Sequence, residues 1–77
     1  MEKVYVVVGT YEDEIHIIGA YKDLTVIKEK FIDYLVGVCS FRSRRAENIA
    51  DSMFESEPRQ YDGDDGKWIL HHIPVFQ

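Results

Sequence analysis

Apolar residues fall along the chain in two kinds of run, and the switch between them marks its architecture. The first is the β-branched and aromatic stretch Val4-Tyr5-Val6-Val7-Val8-Gly9-Thr10-Tyr11, which predicts a strand over residues 3–11 apolar on both faces. Glu12-Asp13-Glu14 interrupts it, and Ile15 to Tyr21 is apolar again. Together they predict a β-hairpin, although no Asn-Gly or Asp-Gly pair names the turn type. From Leu24 the period changes. Leu24, Ile27, Phe31, Leu35 and Val38 recur in steps of three and four behind Asp23, a good N-cap, and predict a helix ending near Cys39. Ala46, Ile49, Ala50, Met53 and Phe54 predict a second helix from Ser43 or Arg44 to Phe54. Residues 56–66 shift to polar and turn-forming types and read as a mobile loop. Residues 67–76 return to strand character, with Pro74 placing that strand at a sheet edge or ending its pairing.

This order predicts an α+β fold, ββααβ, with a three-stranded antiparallel sheet in the order 2-1-3 and the helices packed on it. At 77 residues a second core is improbable, so residues 1–77 read as one small domain. Alternation along the first strand puts Val4, Val6 and Val8 on one face and Tyr5, Val7 and Tyr11 on the other. The last strand divides in the same way, Ile69, Ile73 and Val75 against Trp68, Leu70 and Phe76. Both faces are therefore apolar, and two short helices cover one. The valine face is expected to meet the helices, which leaves Tyr5, Val7, Tyr11, Trp68 and Leu70 as the predicted partner-binding surface, taken by a protein partner or a second copy as a homodimer. The competing expectation is a three-layer core in which the second helix folds back over the aromatic face.

Charge narrows the partners. The net charge is −5, and its acidic excess sits in Glu12-Asp13-Glu14 and in Asp62, Asp64 and Asp65, so a basic phosphate-gripping face and hence a nucleic-acid ligand are not expected. Apolar runs stop at four or five residues, too short to span a bilayer, and the N-terminus lacks the pattern of a secretory signal. With one cysteine, Cys39, a disulfide framework is excluded. A cytoplasmic protein is the expectation.

The candidate chemistry is sparse. His71 and His72 are adjacent on a strand and point to opposite faces, so His16 could join only one of them, and no metal site is expected. Asp62-Gly63-Asp64-Asp65-Gly66 fails calcium-loop spacing, since glycine stands fifth and Ile73 occupies the place of the bidentate glutamate. Cys39 near a helix C-terminus faces the negative end of the dipole and reads as buried packing. Arg42, Arg44 and Arg45 at a helix start form a candidate anion site, with Glu47 and Asp51 near enough to pair with them. Phosphate-binding glycine motifs and nucleophile elbows are absent, and the paired carboxylates lie in turns, so neither an enzyme nor a cofactor is expected.

Val4-Tyr5-Val6-Val7-Val8-Gly9-Thr10-Tyr11, then Ile17-Ile18-Gly19-Ala20-Tyr21, then Asp23-Leu24 entering a helix resembles small bacteriophage accessory proteins over the first half of the chain. The resemblance implies a protein that acts by binding, such as an inhibitor or modulator of a host protein. Two other functions remain open. In one, the acidic turns mimic nucleic-acid phosphates and occupy a DNA-binding protein. In the other, the arginine cluster holds a small molecule or nucleotide.

Overall fold

The computed structural model describes residues 2–57, 59–64 and 66–75. Its elements run β1 (Glu2–Tyr11), β2 (Glu14–Tyr21), α1 (Leu24–Gly37), α2 (Ser43–Glu55), β3 (Gln60–Asp62) and β4 (Gly66–Val75). The fold is α+β with a four-stranded antiparallel sheet in the order β2-β1-β4-β3. The expected hairpin, both helices and the antiparallel pairing of the last strand with β1 are all present. The correction is a fourth strand. Gln60–Asp62, inside the segment expected to be a loop, pairs with Lys67–Ile69 of β4. Pro74 pairs with Lys3 of β1 beyond the reach of β3, so β4 is an edge at that position and the ring's missing N–H is tolerated there.

Strand register sets the two faces. Read across β2, β1 and β4, the rows on one side are Tyr21–Tyr5–His72, Ile18–Val7–Leu70 and His16–Gly9–Trp68, the last continuing to Tyr61 on β3. On the other side they are Ala20–Val6–His71, Ile17–Val8–Ile69 and Ile15–Thr10–Lys67, with Val4 opposite Ile73. A bulge at Gly19, which has a positive φ of 35°, lets β2 keep both sets aligned along Tyr5–Tyr11 of β1.

Both helices cover the aromatic side. Ile27, Phe31 and Leu35 of α1, and Ala46, Ile49, Ala50, Met53 and Phe54 of α2, are buried with Val7, Ile18, Trp68 and Leu70 in one cluster. The helical periodicities therefore name the core faces, except that Val38 lies beyond the end of α1 and is exposed. Asp23 caps α1 by accepting a hydrogen bond from the Thr25 amide at 2.8 Å. The chain leaves α1 through Ser40, at a φ of 60°, with the Phe41 amide returning to Leu35 O at 3.0 Å. Among the described residues no helix is long and apolar enough to cross a membrane.

Candidate functional site

The structure inverts the expected faces. Val7, Trp68 and Leu70 are core residues, and Tyr5 and Tyr11 pack against them, so the predicted partner-binding surface is the inside of the molecule. Val4, Val6 and Val8, expected beneath the helices, lie on the uncovered side. The layers number two, since α2 packs beside α1 on the same face instead of closing a third layer over the other.

Trp68 explains the inversion. Its indole is 0% exposed, with Phe31 edge-on at 5.8 Å, Tyr61 stacked at 6.1 Å, and Tyr11, Tyr34 and Phe41 at 6.3–6.4 Å. Such a ring needs a wide space and an acceptor for its N–H, and only the helix side supplies both. Gly9 clears the space across from it, and the Tyr34 hydroxyl from α1 accepts the Nε1–H at 3.3 Å.

What remains in solvent is an aliphatic sheet surface. Ile15 and Ile17 are 75% and 69% exposed, and Ile69 and Ile73 are 41% and 43% exposed. They flank the half-buried valines of β1 in continuous rows, with His71 beside Val6. Side chains of this type at these exposures on neighbouring strands form a contiguous apolar patch, larger than the scattered apolar residues usual on a protein surface.

The two acidic turns, distant in sequence, meet at one end of the sheet. Glu12 and Asp13 line one side of a cleft, Gly63 and Asp64 the other, above Thr10 and Tyr11. Glu14 lies beside them, and Lys67 pairs with Asp62 at 3.5 Å. Asp65 and Phe76, named with these turns and with the aromatic face, fall outside the described residues. Arg42, Arg44 and Arg45 are exposed at the start of α2, which has no side-chain cap, and the Arg45 guanidinium lies 4.7 Å over the Phe41 ring. Asp51 pairs with Lys28 of α1. His71 and His72 point to opposite faces, His72 stacking on Tyr5 at 4.2 Å. Among the described residues, none of the histidines, Cys39 and the carboxylates gather as a set that could hold a metal ion.

A polar chain crosses the helix side. Trp68 Nε1–H can only donate, so Tyr34 O accepts from it. The same hydroxyl lies 2.5 Å from His16 Nδ1, and His16 Nε2 lies 3.2 Å from the Glu14 carboxylate. The order carboxylate, imidazole, hydroxyl is that of a relay for nucleophilic attack, but the hydroxyl is the wrong kind of group. Burial pushes the Tyr34 phenol far above its ordinary range, the adjacent Cys39 thiol adds to this, and the Trp68 N–H only partly opposes it. A phenol held neutral between two partners fastens β2 and β4 to α1. Burial likewise raises the Cys39 thiol, with the Tyr34 hydrogen bond acting the other way, and the residue is 3% exposed. The spacing of Glu14, His16 and Tyr34 carries no sign of this chain, because it joins β2 to a helix that only the tertiary fold brings near. Compared with protein-family models, curated proteins and solved structures, the chain matches none.

Proposed function

We propose that the chain is a small non-enzymatic protein-binding module that works through the open aliphatic face of its sheet. The observation that carries this reading is the exposure of Ile15, Ile17, Ile69 and Ile73 on the side away from the helices, continuous with the valines of β1. Burying such side chains against a partner is worth roughly 25 cal/mol per Å² of apolar surface, which is the chemistry this face offers in place of catalysis. The resemblance to bacteriophage accessory proteins supports a role as modulator of a host protein in the cytoplasm.

The test is affinity capture from a bacterial host lysate with the wild type and with Ile17→Lys/Ile69→Lys in parallel. A prey retained by the wild type and lost from the charged variant supports the reading; identical preys on both baits overturn it. The Trp68→Ala variant is not a probe of binding, since Trp68 is central to the core.

The gathering of Glu12, Asp13, Glu14, Asp62 and Asp64 at one end of the sheet favours a second reading, mimicry of nucleic-acid phosphates. Capture by that end weakens steeply as salt is raised, whereas capture by the aliphatic face holds or strengthens. The arginine reading rests on the exposure of Arg42, Arg44 and Arg45 at the start of α2, away from the acidic cleft.

A further inference from the structure

Resting on the binding role of the open sheet face, we infer that its occupant is a second copy of the chain, packed sheet on sheet as a two-fold dimer. Three observations favour a copy of itself.

The first is chemistry. The centre of the face is aliphatic at Val4, Val6, Val8, Ile17, Ile69 and Ile73, with His71 beside Val6 the polar side chain among them, so an occupant with a largely polar surface would lose hydration with little compensation. A second aliphatic sheet is the matching surface, and antiparallel sheets pack in this way with strands about 30° apart.

The second is size. Strands of ten, ten, eight and three residues, at ~3.3 Å per residue and ~4.8 Å between strands, present about 500 Å² of flat area per copy. A pair then hides about 1,000 Å² before side-chain relief is added, at the lower bound of a specific interface. The expected dimer is reversible in the micromolar range.

The third is charge. The acidic turns stand at one end of the sheet, and the other end, where Lys3 and Lys22 are joined by Glu2 and Asp23, is balanced in sequence. A two-fold axis across the strands lays the acidic end of each copy against that balanced end of its partner. An axis along the strands would set acid against acid. Pairing through the β2 edge is disfavoured instead, because the bulge at Gly19 breaks the flat row of donors and acceptors that strand addition needs.

The experiment is analytical ultracentrifugation of the full chain from 1 to 500 µM (about the range in which a small interface dissociates), for wild type, Ile17→Lys and Ile69→Lys. The expected result is a monomer–dimer equilibrium in the wild type, weakened at least tenfold by either lysine, while circular dichroism at low concentration shows an unchanged fold. A third variant, Ile17→Val, retains the dimer within a fewfold. A wild type monomeric at every concentration overturns the inference, as does a dimer that both lysine variants preserve. Lysate capture separates this outcome from the broader reading: a monomer that still loses a prey when the face is charged refutes the second copy and leaves the binding face standing.

Discussion

Gly9 on β1 stands directly across from Trp68 on β4, and the space left by the side chain it lacks is the space the indole fills. A Cβ built on Gly9 collides with Trp68 Cδ1 and with the Lys67 carbonyl, one a packed ring and the other backbone, and neither can yield. Gly9→Ala is therefore expected to destabilise by about 1–3 kcal/mol through overpacking. Urea denaturation reads the loss, and a Gly9→Ala variant as stable as the wild type would show that the two residues do not contend for one space.

Trp68→Ala and Ile69→Ala change neighbours on one strand and are expected to differ sharply. The first empties a fully buried site, for which removal of a Trp costs about 3–5 kcal/mol. A domain of this length is stable by roughly 4–12 kcal/mol, so Trp68→Ala removes about a quarter of that stability or more. Ile69 is 41% exposed on the open face, and its truncation in the isolated chain is expected to cost under about 1 kcal/mol. Thermal melts at low protein concentration check both, and equal losses would contradict the assignment of the faces.

The hairpin turn is built from residues ill-suited to it. Glu12 and Asp13 have φ of 50° and 66°, so both sit where side chains are strained and where type I′ turns prefer Asn-Gly. Glu12→Asn/Asp13→Gly is expected to stabilise by about 0.5–2 kcal/mol, or several degrees in Tm for a domain of this size. The double change also removes two negative charges from the acidic end. Repeating the melt in high salt separates the two effects: a gain that survives screening is conformational, and one that disappears is electrostatic.

Much of this architecture is legible in the chain, and the parts that are not have physical causes. The helical faces of α1 and α2 are one-sided, so their period points to the core without ambiguity. β1 is apolar on both sides, so alternation sorts Val4, Val6 and Val8 from Tyr5, Val7 and Tyr11 but cannot say which set meets the helices. The deciding pieces are Gly9 and Tyr34, one making room for Trp68 and the other accepting its N–H, and their relation to Trp68 exists only after the strands pair. β3 escapes notice because Gln60-Tyr61-Asp62 is short and polar between turn-formers, and only Tyr61, stacked on Trp68, points inward. The open face of the sheet is legible as a consequence, since two helices cannot cover two sides, although its identity is not.

Stability at high pH follows from Tyr34 and Cys39. Burial raises both above their ordinary values of 10.0 and 9.0, which means the folded chain keeps these protons when the unfolded chain has begun to lose them. With more protons bound to the folded state, stability falls as pH rises. The loss is absent below about pH 8, begins as the unfolded thiol ionises near 9.0, and steepens above 10.0 as the unfolded phenol follows. Tyr34→Phe is expected to do two opposite things. At pH 7 it leaves the Trp68 N–H and His16 Nδ1 without their shared partner and costs about 1–3 kcal/mol. Above pH 10 it removes the phenol that resists ionising, so its stability declines more gently than that of the wild type and the two curves converge. Urea midpoints between pH 7 and pH 11 measure this directly. Parallel declines for wild type and Tyr34→Phe would show that the buried phenol does not govern the alkaline limb.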